Sequence, residues 1–274
     1  MNPGKQTTSV PFSASVVVSN EKQRLASCLD GLKPSDQIVV YDIGSLDGTI
    51  ELARKHATEV RRIPRIEVVE KVWSQVIREA KNDWIILLDP DEIFPEAIFP
   101  ELERIIQTMP AVGMISIPWK FYFLGKPLNS TAWGKERFKS RVFHRQRVEI
   151  TGILFKGILV KPDYTEYRFP TDAEYVIHHY WIDSIPQLFS KHWRYIKNDG
   201  EARYNRGERF NLRTQQRKTF ISLKKNLVDY YGAKDGWRGI FLSFFHAWFI
   251  FMCHLSLCWY QYLKTPTKNN EQPN

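Results

Sequence analysis

Aliphatic and β-branched residues come in short unbroken runs along the first third of the chain, with helical spacing between them. Ser13–Val18, SASVVV, is the first run. Glu21–Leu32 follows, with Leu25, Cys28, Leu29 and Leu32 at helical spacing. KPSD at Lys33–Asp36 is a break. Gln37–Tyr41, QIVVY, is the second run, followed by the turn-rich DIGSLDGT and a helix from about Thr49 to Ala57. Glu59–Ile63 predicts a weak strand, Glu70–Lys81 a helix, and Trp84–Leu88, WIILL, a third strong strand. Strands that stay apolar on both faces belong in a parallel sheet covered by helices on both sides. The middle third is β-rich instead. Strand-like pieces at Val112–Pro118, Arg141–His144, Ile150–Val160 and Tyr175–Tyr180, with Gly and Pro in their loops, predict the rest of the sheet and a second wall. Helical periodicity returns at Ser184 and persists to about Lys264.

Two of the strong strands end in acids. Asp42 follows QIVVY, and Asp89 and Asp91 follow WIILL in the stretch WIILLDPDE. In open sheets of this type ligands bind beyond the carboxyl ends of the strands, so both strands deliver carboxylates to the binding edge. Residues i and i+2 of an extended segment point the same way, so Asp89 and Asp91 are expected to face one space with Pro90 turned aside. Two carboxylates, completed by waters and a substrate phosphate, suit Mg²⁺ or Mn²⁺. The plainer alternative is a turn, because x-Pro-Asp is a common turn sequence. In YDIGSLDGT, Gly44 and Gly48 flank a corner, Asp47 is placed to cap the next helix, and Asp42 is placed to accept a base or ribose hydrogen bond. His178 and His179 follow an apolar run, and one of them is a candidate for the nucleotide or metal site, against the reading of a structural histidine. The aromatic run PWKFYFLG at Pro118–Gly125, with Trp133, suits either stacking on a ligand or core packing.

Taken together, SVVVSNEKQRLASCL, QIVVYDIGSLDGTIELA and AKNDWIILLDPDE resemble the family-2 glycosyltransferases with the GT-A fold, in order and spacing, over roughly the first hundred residues. The resemblance implies an inverting transfer from a nucleotide-sugar, UDP-linked by expectation, with a divalent metal. Carried over by position, Asp42 helps hold base and ribose, and Asn20 and Glu21 lie on the nucleotide's path. Asp89 and Asp91 form the pair that meets metal and diphosphate, with His179 a further candidate for the metal. HHYWIDSIPQLFSKHWRY and AKDGWRGIF resemble, more loosely, the branch that builds bacterial lipopolysaccharide cores and surface glycans, which implies a glycan or lipid-linked acceptor. The chain departs from the family pattern at three places. Asp42–Ile43 replaces a common aspartate pair. Trp73 and Ser74 match an Arg-Asn pair. Phe155 and Lys156, in ITGILFKG, match the His-Glu pair that holds the general base in many relatives. An inverting transfer needs a carboxylate to take the acceptor's proton, and Glu149, Asp172 and Glu174 are the nearby candidates.

Composition narrows the partners. Net charge is +9, and the segment from Lys191 to Lys225 holds eleven Lys and Arg against three Asp and Glu, a local charge of +8. Such a stripe predicts a polyanionic partner. Gly239–Leu263 then runs for 25 residues without Lys, Arg, Asp or Glu. As a helix it is about 37 Å long, enough to cross a membrane. Ser243, His246, His254 and Gln261 fall on one side at about 100° per residue, which favours a helix lying in the interface or packed on the domain over a span. Anionic headgroups are therefore the expected partner of the stripe. Phosphorylated glycans and nucleic acid are the other polyanions; RNA would be held by Arg209, Arg213 and Arg217, but no nucleic-acid motif accompanies them and none is expected to bind. Three cysteines without a CxxC pair, and an N-terminus without an apolar signal core, predict a cytoplasmic protein, peripheral or monotopic at the inner membrane face.

The expected organisation is a tail over 1–12, a GT-A α/β domain over 13–183 with a mainly parallel sheet, a basic and apolar helical extension over 184–264, and a tail over 265–274. A rival expectation, motivated by the unmatched base, is a non-catalytic nucleotide-binding or membrane-surface protein on the same fold.

Overall fold

The computed structural model describes residues 10–64, 70–150, 158–171 and 174–264. Strand β1 (Phe12–Val18) is buried along its whole length, as its unbroken apolar run requires. It lies between two parallel neighbours, β2 (Gln37–Asp42) and β4 (Trp84–Leu88), with β3 (Glu59–Arg62) parallel outside β2. The connecting helices are α1 (Lys22–Asp30), α2 (Thr49–His56) and α3 (Glu70–Glu79). Alternate residues of β1 serve opposite faces. Ala14, Val16 and Val18 pack with Leu25, Cys28 and Leu29 of α1. Val17 packs with Val72 and Val76 of α3. Both faces of the sheet are covered, which is why these strands carry no polar alternation.

The sheet then changes sense. A two-residue strand β5 (Glu92–Ile93) and helix α4 (Phe99–Thr108) lead into the long strand β6 (Val112–Phe123). After the short strand β7 (Lys126–Pro127) and the one-turn helix α5 (Thr131–Gly134), strand β8 (Phe138–His144) inserts antiparallel between β4 and β6. The expected Ile150–Val160 strand is instead two short antiparallel strands, β9 (Val148–Ile150) and β10 (Ile158–Val160), which form a separate small sheet. Strand β11 (Thr165–Arg168) joins β6 in parallel. Strand β12 (Ile177–Ile182) pairs β5 through His178↔Ile93 and His179↔Glu92. The result is the mixed, helix-covered α/β sheet of the GT-A fold.

The chain forms two compact units, one of 1–120 with 136–179 and one of 121–135 with 180–274. The second therefore includes a segment that a linear boundary at 183 assigns to the first. Within it, Asp235 accepts hydrogen bonds from the backbone N–H of Asn129 at 2.9 Å and Ser130 at 2.8 Å, and Asn226 Oδ1 accepts from Ala132 N at 2.7 Å. These bonds tie the segment to the later helices. Phe121 and Phe123 are buried, and Trp133 stacks on Trp181 at 4.8 Å, so this aromatic run is largely core. The helices are α6 (Ile185–Asn205), α7 (Leu212–Lys224) and α8 (Trp237–Trp259). Helix α6 begins at Ser184, whose hydroxyl caps Gln187 N.

At Gly200, α6 meets α8 closely. The backbone N–H of Gly200 donates to Ser256 Oγ at 3.2 Å, and a Cβ there would lie 2.3 Å from the Ser256 carbonyl oxygen. Gly200→Ala is expected to cost about 1–3 kcal/mol by forcing the helices apart. Urea denaturation would show it as a lower midpoint at unchanged slope.

Candidate active site at the acidic turn

Val18 pairs with Asp42 and Val16 with Leu88. The residues that follow β1, β2 and β4 therefore emerge at one edge of the sheet, and Asn20, Asp42 and Asp89 stand there. Beyond Leu88 the chain does not stay extended. Glu92 N donates to the Asp89 carbonyl oxygen at 3.0 Å, closing a β-turn over Asp89–Glu92. Glu92 Oε2 in return accepts from Asp89 N at 3.2 Å. The expected i, i+2 extended pair is thus replaced by a turn. Its reason is local: Pro90 fixes φ at the second turn position. The Cys28 thiol donates to the Asp89 carbonyl at 3.5 Å, and burial, reinforced by Glu92, keeps that thiol protonated.

Arg141 of β8 braces the turn. It is 5% exposed, and one guanidinium nitrogen donates both to Glu92 Oε1 at 2.5 Å and to Asp89 Oδ2. Glu92 is completely buried, and burial pushes its carboxyl up. Burial alone would also raise Asp89, but Arg141 and Lys139 more than offset it and bring the carboxyl down to about 2. Burial would lower Arg141, and the two carboxylates reverse that and hold it charged. Lys139 is pushed down by burial and then by Arg141, and its ammonium stands 4.1 Å from the centre of the Trp119 ring. Asp91 is held by a different partner. His179 Nε2 lies 3.1 Å from Asp91 Oδ2, and the imidazole stacks on Trp119 at 4.6 Å. Of the two histidines, His179 is the one at the acidic turn.

Arg141, Lys139, Glu92 and Trp119 complete this cluster; Glu92 ends the stretch WIILLDPDE and Trp119 belongs to the aromatic run PWKFYFLG, while Lys139 and Arg141 lie in no motif. One signal for these two exists in the sequence. Lys139 and Arg141 are cations at i and i+2 in a strand that ends Val-Phe-His, so they share a face and need anions opposite.

At the neighbouring strand ends two loops interlock. Asn20 takes a left-handed conformation, φ 59°, which Asn tolerates. Its backbone N–H donates to Ser45 Oγ at 2.9 Å and its Oδ1 accepts from Leu46 N at 2.8 Å. Glu21 N donates to Thr49 Oγ1 at 2.9 Å. Asp42 is completely buried, and its oxygens accept the N–H groups of Gly44 at 3.2 Å and Ser45 at 3.0 Å. Gly44 allows that turn with φ 108°. The carboxylate expected to point at a ligand thus shapes its own loop. Gly48 is the N-cap of α2, and Asp47, one residue before it, accepts Thr49 N through Oδ1 at 3.1 Å.

The candidate bases are not gathered in the same way. Glu149 is exposed on β9, and Glu174 is exposed ahead of β12. Among the described residues neither is hydrogen-bonded to the turn. Asp172, Phe155 and Lys156 lie outside the described residues. Also among the described residues, no group of three or more His, Cys, Asp or Glu side chains is placed to hold a metal ion. The turn offers instead two partly exposed carboxylates, Asp89 at 45% and Asp91 at 24%. That hard-oxygen set fits Mg²⁺ or Mn²⁺ when waters and phosphate oxygens fill the remaining positions.

The model of the family described as glycosyl transferase family 2 matches residues 13–164. An uncharacterized glycosyltransferase of Rickettsia bellii is 30% identical over 96 residues, 34% of this chain and 32% of that protein. Succinoglycan biosynthesis protein ExoA of Rhizobium meliloti is 28% identical over 109 residues, 36% of this chain and 32% of that protein. The matched part thus spans about a third of the length of these relatives. Among solved structures, glucosyl-3-phosphoglycerate synthase from Mycobacterium tuberculosis, in complex with Mn²⁺, UDP and glucosyl-3-phosphoglycerate, is 18% identical. Its TM-score is 0.37, over 43% of this chain and 50% of that one. With its model covering more than half of the residues, the chain belongs to glycosyl transferase family 2, built on a GT-A fold.

Proposed function

We propose that this protein moves a sugar, with inversion, from a UDP-linked donor to a lipid-linked or surface-glycan acceptor, such as a lipopolysaccharide core, at the cytoplasmic membrane face. The observation that carries the proposal is the acidic turn at the carboxyl edge of the sheet, braced from behind by Arg141. Asp89 and Asp91 would hold Mg²⁺ or Mn²⁺, with His179 beside them. When bound, the ion would neutralise charge on the diphosphate leaving group. Arg141 fixes Asp89 through a bond to its carboxylate, and His179 orients Asp91. Asn20, Glu21 and Asp42 act toward the nucleotide through the interlocked loops they build. The acceptor hydroxyl must lose a proton to a carboxylate, and Glu149, Asp172 and Glu174 are the candidates. The anionic inner leaflet is the proposed partner of the basic and apolar helices.

The second reading is a nucleotide-binding protein without turnover, and the exposed, unrecruited Glu149 and Glu174 favour it. Thermal unfolding with a panel of nucleotide-sugars, with and without Mn²⁺, tests the first. A true donor at a hundred times its Kd is expected to stabilise the protein by about 2.7 kcal/mol. Protection without sugar release or transfer would support the second reading, and protection by no nucleotide would overturn both.

A further inference from the structure

Helix α8 and the turn that follows it, Tyr260–Lys264, carry polar side chains inward. His246 Nδ1 lies 2.6 Å from Ser222 Oγ, Ser243 Oγ donates to the Gly239 carbonyl at 2.7 Å, and Gln261 Oε1 accepts from Phe210 N at 2.8 Å. The buried His254 lies 3.4 Å from a guanidinium nitrogen of Arg203. The polar stripe is therefore engaged within the protein: His246 meets α7, His254 meets α6, Gln261 meets Phe210 between those helices, and Ser243 bonds within α8 itself. What remains outside is apolar. Trp237, Ile240, Phe244, Phe251, Leu255 and Trp259 are each more than a third exposed. Their steps of three, four, seven, four and four residues put them on one helical face. Phe189 of α6 widens the strip, with its ring 5.2 Å from that of Trp248.

From Gly239 to Leu263 there is no Lys, Arg, Asp or Glu, while Arg194, Lys197, Arg213 and Arg217 of the neighbouring helices are exposed. We propose that this strip is the membrane-contacting face of the protein, and that α8 lies in the plane of an anionic lipid surface without crossing it. The inference rests on the proposed membrane-facing function and names the surface that serves it. Charge and pattern choose the occupant: a long apolar strip with tryptophans toward both ends, on a unit rich in exposed cations, matches the acyl boundary beneath anionic headgroups. The packing excludes a crossing. Arg203 is 8% exposed, in contact with Asp199 and Glu208 and set against α8 through His254. A span would carry that ionic cluster and the charged faces of α6 and α7 toward the hydrocarbon.

The test is flotation of the full chain with vesicles of phosphatidylcholine alone, or with about a third phosphatidylglycerol. Tryptophan quenching by lipids brominated at shallow or deep acyl positions is read alongside. Binding is expected to be at least about tenfold stronger to the anionic vesicles and weakened by salt, with stronger shallow quenching. Phe244→Ser with Phe251→Ser is expected to lose about tenfold or more of that binding. Its melting temperature and its release of sugar from a soluble donor should stay unchanged. Leu255→Ser is a milder second variant for the same readout. Deep quenching would overturn the in-plane placement. Equal binding by variant and wild type would overturn the face. A dimer in sedimentation that the double variant dissociates, with no vesicle binding, would make the strip a contact between copies instead. Loss of donor turnover with vesicle binding intact would count against the enzymatic reading alone.

Discussion

Asp91→Ala should lower kcat/KM for the donor by about 10²–10³, with most of the loss in kcat. Two observations set this size. Asp91 stands in a turn at the carboxyl edge of the sheet, and His179 Nε2 holds it at 3.1 Å. Its carboxylate is partly exposed, so the fold should survive the change. A preorganised charged partner acting on a developing leaving-group charge contributes on this scale. Asp91→Asn keeps the shape and should recover folding but not rate. Initial rates across Mn²⁺ concentration separate the causes: loss of an ion ligand raises the Mn²⁺ needed for half-maximal rate, whereas a general structural fault does not.

Arg141→Ala should be the most damaging single change to stability, at about 3–5 kcal/mol. It leaves Glu92, completely buried, without its cation. Arg141→Lys keeps the charge, but its shorter side chain does not carry the ammonium as far as the guanidinium nitrogen that bonds both Glu92 and Asp89, so only partial rescue is expected. Arg141→Met with Glu92→Gln should recover much of the loss, because no buried charge is then stranded. The pH dependence gives a further check. Asp89 titrates at about 2 in the folded protein, below its ordinary value. Its ionised form therefore contributes stability that is present above about pH 4 and is lost as pH falls toward 2. In Arg141→Ala the main cause of that depression is gone. Glu92, already pushed up by burial, is then relieved by protonation as pH falls. Both effects make the deficit of the variant smaller in acid than at neutral pH, as urea midpoints across pH would show.

The parallel half of the sheet was legible because β1, β2 and β4 are buried on both faces. SVVV, QIVVY and WIILL need no partner to be recognised, and their ends placed Asp42 and Asp89 on one edge. The geometry past that edge was not legible. An i, i+2 argument treats DPD as extended and ignores the backbone N–H of Glu92, which bonds back to Asp89. Arg141 was missed because its anions lie about fifty residues away in the chain, and only the antiparallel insertion of β8 brings them together. Asp42 was recognised as important, but its turn was not seen to consume the carboxylate. The polar stripe of α8 was visible at helical spacing. Which side of the helix meets the protein depends on Ser222 and Phe210 on other segments. Phe121 and Phe123 fit stacking or core equally well until the fold buried them.

In the proposed function the Asp89–Glu92 turn receives the diphosphate of a sugar nucleotide through a divalent ion. Calorimetric titration of UDP into the wild-type protein and into Asp91→Ala, each with Mn²⁺ and with chelator, tests it directly. The account predicts binding by the wild type that needs Mn²⁺ and is lost in the variant. Equal UDP affinity in all four titrations would contradict it.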